Sequence, residues 1–161
     1  MMNRKETSVE KTEQIVAEHP FFKGLEPQHI KIIAEHSRSL KFNPGDFLMR
    51  EDEPGSCFFL ILHGKVALEV FTPERGPIIV KTLGENDILG YCWIVPPYQC
   101  RFDVRAVELT RAICVEGKWL RQICEENHQI GFELLKRTAA IMANLLDATR
   151  MQLLDIYGSH Q

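Results

Sequence analysis

The sequence predicts an α+β, mainly β fold: a jelly-roll-like β-roll of about eight short strands, with helices before it and a long helix after it. Three observations predict it. Between residues 38 and 116 short apolar segments alternate with turn signals, at spacings of about 8–12 residues. No helical pattern intervenes there, which argues against a parallel sheet with crossover helices. From residue 118 to about residue 157 the apolar spacing becomes helical and stays so.

Residues 1–9 are polar and read as a flexible tail, leaving 10–161 as one domain. Glu10 to His19 predicts a helix carrying Ile15 and Val16 on one face. Pro20 ends it, because proline has no N–H for the helix ladder. Pro27 opens a second helix, on which Ile30, Ile33 and Ala34 share one side. After Ser37 the period falls to two, with Leu40 and Phe42 flanked by polar residues. Asn43-Pro44-Gly45-Asp46 turns the chain, Phe47 to Arg50 is a short strand, and Glu51 to Gly55 turns again. Cys57 to Leu62 is a continuous apolar run, as expected of a strand covered on both faces, and His63-Gly64 makes a tight corner. Lys65 to Phe71 and Pro77 to Leu83 predict a hairpin across the turn at Pro73 to Gly76. Gly84 to Asp87 is a further turn, and Asp103 to Ala106 and Arg111 to Val115 supply two more strands. Gly45, Gly64 and Gly84 are expected at corners with positive φ, which other residues resist.

The C-terminal helices span about residues 118–157. On the longer one, Leu135, Ala139, Met142, Leu146, Thr149, Leu153 and Ile156 repeat at alternating steps of four and three, the pattern of a coiled-coil seam. Leu134, Ile141, Leu145 and Ala148 form an adjacent stripe. Two stripes predict one face against the roll and one against a second subunit, hence a homodimer. A single wide face buried within the monomer is the alternative.

Composition narrows the function. A net charge of -3 argues against general nucleic-acid binding, which needs clustered Lys and Arg. No apolar run approaches the roughly 18 residues of a membrane span, and the start of the chain is polar, which predicts a cytoplasmic protein without membrane contact. Five widely spaced cysteines (Cys57, Cys92, Cys100, Cys114, Cys124) without a CxxC pair are expected to be reduced thiols. Of six histidines only His63 lies among the strands, so no metal-ligand set can be assembled; each is expected at the surface or as a cap. No nucleophile-elbow, P-loop or HExxH pattern is present, and the chain is expected not to be an enzyme.

Asn43 to Gly55, followed by Phe58 to Val66, resembles the first half of the cyclic-nucleotide-binding domain family, which includes catabolite activator proteins, kinase regulatory subunits and gated channels. Gly84-Glu85-Asn86-Asp87-Ile88-Leu89-Gly90 is similar to the segment leading into that family's phosphate-binding cassette. The resemblance covers about residues 21–156 and implies a catabolite-activator-like β-roll, here a stand-alone bacterial-type module. Because only four residues follow Tyr157, no recognition helix, and so no direct DNA binding, is expected. In the family, a glutamate after the Leu/Phe-Gly pair accepts from the ribose hydroxyl and an arginine pairs with the cyclic phosphate.

The resemblance places the ligand site on Leu89, Gly90, Tyr91, Cys92, Trp93, Cys100, Arg101 and Phe102. Tyr91 falls at the glutamate position, Trp93 at that of a small residue, and Cys100 at that of the arginine. Strand alternation points Arg101 away from the pocket unless a bulge shifts the register. Tyr91, Trp93, Tyr98 and Phe102 form either core filler or a ligand surface, and a loop could bring Cys92 and Cys100 together as a redox pair. No cofactor is expected beyond a cyclic nucleotide or another small anionic ligand. The function implied is a ligand-sensing regulatory module, not tight for cyclic AMP, acting on an effector protein that the sequence does not identify. A ligand-free homodimeric scaffold with a vestigial pocket is the alternative.

Overall fold

The computed structural model describes residues 4–158, with side chains from Lys11 onward. Helices α1 (Arg4–Glu18) and α2 (Pro27–Glu35) lead into strands β1 (Ser37–Phe42), β2 (Phe47–Met49), β3 (Cys57–His63), β4 (Val66–Thr72), β5 (Gly76–Leu83), β6 (Ile88–Leu89), β7 (Asp103–Ala106) and β8 (Thr110–Glu116). Helices α3 (Gly117–Glu126) and α4 (His128–Gly158) follow. The strands form two four-stranded sheets, ordered β1-β8-β3-β6 and β2-β7-β4-β5, with every pairing antiparallel. The fold is the predicted mainly-β roll with flanking helices.

Two cores explain the doubly covered β3. Phe59 and Ile61 point between the sheets with Val66, Leu68, Leu89, Val104 and Ala112. Phe58 and Leu60 point the other way, onto Val16, Phe22, Ile33, Leu120 and Leu134 of the helices. An alternating strand that meets apolar partners on both sides reads as an unbroken apolar run.

Several expectations change. The first helix begins at Arg4, well before Glu10, so most of the predicted tail is helical, and residues 1–3 lie outside those described. The two-residue β6 was not foreseen; it pairs with Phe59 and Leu60, and its shortness leaves no alternation to read. Gly45 and Gly64 adopt φ of +91° and +104°, but the positive φ of the third turn falls on Asn86, not Gly84. Asparagine tolerates that region better than most residues, so the turn does not depend on the glycine.

Cys57 and Cys114 form a disulfide. Antiparallel pairing of β3 with β8 sets them on one face, offset by two positions, with Cα atoms 5.5 Å apart. Such an approach across 57 residues of chain leaves no local sequence signal. Of the two roles expected for a histidine, surface or cap, His19 takes the second: it is buried, and its Nδ1 accepts the Phe21 N–H at 3.2 Å. His160 lies outside the described residues.

Candidate ligand site

β6 delivers the chain to the site, and Gly90 turns it inward with φ +94°. A Cβ there would stand 2.9 Å from the Cys57 carbonyl oxygen, so both backbone angle and space demand glycine. The next residues form a tight turn closed by the Ile94 N–H donating to the Tyr91 carbonyl at 3.2 Å.

The cavity beside this turn is lined by Met49, Leu68, Leu83, Ile88, Leu89, Gly90, Val104, Ile141 and Leu145, with Lys81, Tyr91, Cys92 and Arg101 as its polar groups. Among the described residues no aspartate or glutamate lines it, so the cavity is cationic at its polar end. Burial pushes the Tyr91 phenol up, Cys92 adds to the rise, and Arg101 partly offsets it. The free space is about 50 Å³, room for a few waters and well short of a nucleotide. Ile141 and Leu145 of α4 form part of its wall.

Of the predicted site residues, Leu89, Gly90, Tyr91, Cys92 and Arg101 come together here, while Trp93, Cys100 and Phe102 do not. Trp93 turns into the helix-side core, with no exposed surface, against Phe58 at 5.9 Å between ring centroids. Arg121 of α3 anchors this part of the loop, donating from Nη1 to the Trp93 carbonyl at 2.8 Å and stacking over Tyr98 at 3.9 Å. Phe102 lies in a separate groove with Tyr91, Met142, Leu146 and Thr149.

Arg101 reaches the cavity that alternation assigned to Cys100, while Cys100 is buried against Cys92 outside the cavity. Regular β7 starts only at Asp103, and before it Cys100 pairs its backbone with the Asp52–Glu53 turn, through two bonds of 2.8 Å. That local pairing, preceded by Tyr98 at φ +61°, sets the parity: Cys100 goes inside, 3.7 Å from Cys92, and Arg101 reaches the cavity.

Sequence reasoning missed Lys81 and the α4 pair. A register shift opposite Leu68 and Glu69 places an extra residue in β5 and brings Lys81 and Leu83 to the cavity side. Ile141 and Leu145 were seen only as a packing stripe; what they pack on is a tertiary fact.

α4 is held at its base by fully buried Leu134 and by Arg137, whose Nη1 donates to the Phe21 carbonyl. Farther along, Gln152 donates to the Ile79 carbonyl at 3.1 Å. The seam residues Leu135, Ala139, Met142, Leu146, Thr149 and Leu153 are all exposed, Leu146 by 70%. The two stripes differ in burial: one packs on the roll, and the other, from Leu135 to Leu153, is exposed among the described residues.

Among curated relatives, a CRP-like cAMP-activated global transcriptional regulator of Mycobacterium tuberculosis is 24% identical over 144 residues, 89% of this chain and 62% of the regulator. Mouse cGMP-dependent protein kinase 2 is 30% identical over 96 residues, 58% of this chain and 12% of the kinase. The chain thus spans about three-fifths or less of these relatives' lengths. Among solved structures, the sensor domain of the transcriptional regulator DNR from Pseudomonas aeruginosa superposes with a TM-score of 0.71 at 20% identity, covering 86% of this chain and 93% of that one. A cyclic nucleotide-binding domain from Methylobacillus flagellatus does so with 0.68 at 18% identity, covering 99% and 88%. The model of the cyclic nucleotide-binding domain family matches residues 39–127, and the chain belongs to that family.

Proposed function

We propose that this chain is a regulatory sensor module whose cavity beside Gly90 takes a small anionic ligand, binds cyclic AMP only weakly, and reports occupancy through α4. The single observation behind this reading is the polar lining: Lys81 and Arg101 beside Tyr91, with no carboxylate. Arginine and lysine suit a phosphate or carboxylate. Without a glutamate, the ribose hydroxyl of a cyclic nucleotide has no charged acceptor in the family's manner. Losing one partner of a buried charged contact costs on the order of 2–5 kcal/mol. At about 1.4 kcal/mol per tenfold, affinity falls by roughly thirty-fold to several thousand-fold. Entry of a ligand also requires Ile141 and Leu145 to yield, which couples occupancy to α4.

The exposed seam supports a homodimer through α4, with an effector protein beyond it. Because Met142, Leu146 and Thr149 share a groove with Tyr91 and Phe102, a partner on the seam would also touch the cassette. The proposed setting is cytoplasmic; no helix of the described residues is long and apolar enough to cross a membrane.

The test is a thermal-melting screen against cyclic mononucleotides, cyclic dinucleotides and nucleoside mono- and triphosphates. A ligand at about 100 times its Kd stabilises by ~2.7 kcal/mol, a rise of roughly 5–10 °C for a domain this size. We expect such a rise with an anionic ligand other than cyclic AMP, and its loss in Arg101→Ala. No rise with any member of the panel would favour the scaffold with a vestigial pocket.

A further inference from the structure

We infer that Cys92 and Cys100 form a redox-active dithiol, a modification site at which a hydroperoxide converts two thiols to an intrachain disulfide and so moves the cassette loop relative to α3. The two sulfurs lie 3.7 Å apart, and both residues are buried, 4% and 3% exposed. A disulfide needs about 2.05 Å, so closure asks for a shift of about 1.7 Å shared between two side chains at the ends of one loop.

The pair is asymmetric. The hydrogen bond between the two sulfurs draws the Cys92 thiol below its ordinary range, while that same bond and burial push Cys100 up. Cys92 is therefore the nucleophile and Cys100 keeps its proton. Cys92 is also the one of the two that lines the cavity. The third free thiol, Cys124, is pushed up to about 11 by burial and by Glu125, and has no sulfur partner among the described residues.

Chemically, the Cys92 thiolate attacks the peroxide O–O bond, forming Cys92–SOH and releasing water after protonation. The Cys100 sulfur then attacks the Cys92 sulfur, its thiol proton leaves with the departing hydroxide as a second water, and the S–S bond forms. Two thiols are oxidised by two electrons and one hydrogen peroxide is reduced to two waters.

The loop is wired to the helices. Cys92 precedes Trp93 and Cys100 follows Tyr98, and both aromatic residues are held by Arg121 of α3. On its other side Cys92 presses on Gly55, where a Cβ would stand 2.8 Å from its sulfur. Motion of Cys92 toward Cys100 therefore reaches α3, which packs on α4. This chemistry goes beyond ligand sensing and stands whether or not the cavity takes a ligand.

The experiment treats the full chain with hydrogen peroxide, denatures and alkylates it, and maps the peptides by mass spectrometry. Untreated protein carries three alkylated cysteines, Cys92, Cys100 and Cys124. After peroxide we expect Cys124 alone to be alkylated, with a Cys92–Cys100 cross-linked peptide reversed by dithiothreitol. Cys100→Ser should leave Cys92 as a sulfenic acid that dimedone labels, and Cys92→Ser should give no label at Cys100. In a Trp119→Phe background, oxidation should shift the emission of Trp93. Three thiols still alkylated after peroxide, or Cys124 consumed first, would overturn the proposal in the wild-type chain without any variant. An unchanged Trp93 emission would overturn the link to α3.

Discussion

His19 is 4% exposed, and its Nε2 has no hydrogen-bond partner among the described residues. Its Nδ1 accepts the Phe21 N–H, so the neutral ring serves as a turn cap inside the helix-side core. Burial lowers its pKa, and the nearby Asp87 only partly offsets this. A histidine whose folded pKa lies below its unfolded value binds fewer protons when folded. Its contribution is therefore complete above the unfolded pKa of about 6.5 and is lost as pH falls below that. We expect the melting temperature to drop through this range, and His19→Gln, which keeps an acceptor for Phe21, to reduce the drop. Equal slopes in the two proteins would remove His19 from the account. Arg101 teaches a related lesson. Its placement follows from which loop Cys100 pairs with, and alternation counted back from Val104 cannot see a pairing to Asp52 and Glu53.

At the scale of elements, α4 carries two neighbouring apolar stripes of different burial. Leu134, Ile141 and Leu145 pack on the two cores and Ala148 is half-buried, whereas Leu135, Ala139, Met142, Leu146, Thr149 and Leu153 are exposed. Helical periodicity is local, so it survives folding and can be read from the chain alone. The partner of each stripe is not local, and the cavity-closing role of Ile141 and Leu145 became visible only in three dimensions. The same holds for Lys81, brought to the cavity by an irregularity in β5, and for the Cys57–Cys114 disulfide. For the outward stripe we predict that Met142→Glu with Leu146→Glu yields monomers in size-exclusion light scattering that still unfold cooperatively, as positions exposed within one chain allow. A dimer mass unchanged by both charges would remove the seam from the interface.

Across the whole molecule, two cores share one central sheet. The helix-side core fixes α1 to α3 and the base of α4, and the inter-sheet core forms the floor of the cavity. The roll was legible in the sequence because turn residues and alternation recur throughout it. The site was legible in outline, through Leu89, Gly90 and Tyr91, because they stand in a recognisable segment. Its polar character depends on which side chains long-range packing turns inward. The central claim is that the cavity offers cations but no carboxylate, and cyclic AMP titrated into wild type and Tyr91→Glu by calorimetry tests it most directly. We predict a wild-type Kd weaker than about 10 μM, and tightening of about tenfold or more, ~1.4 kcal/mol, on introducing the glutamate. Wild-type binding at about 1 μM or tighter, unimproved by Tyr91→Glu, would contradict the claim.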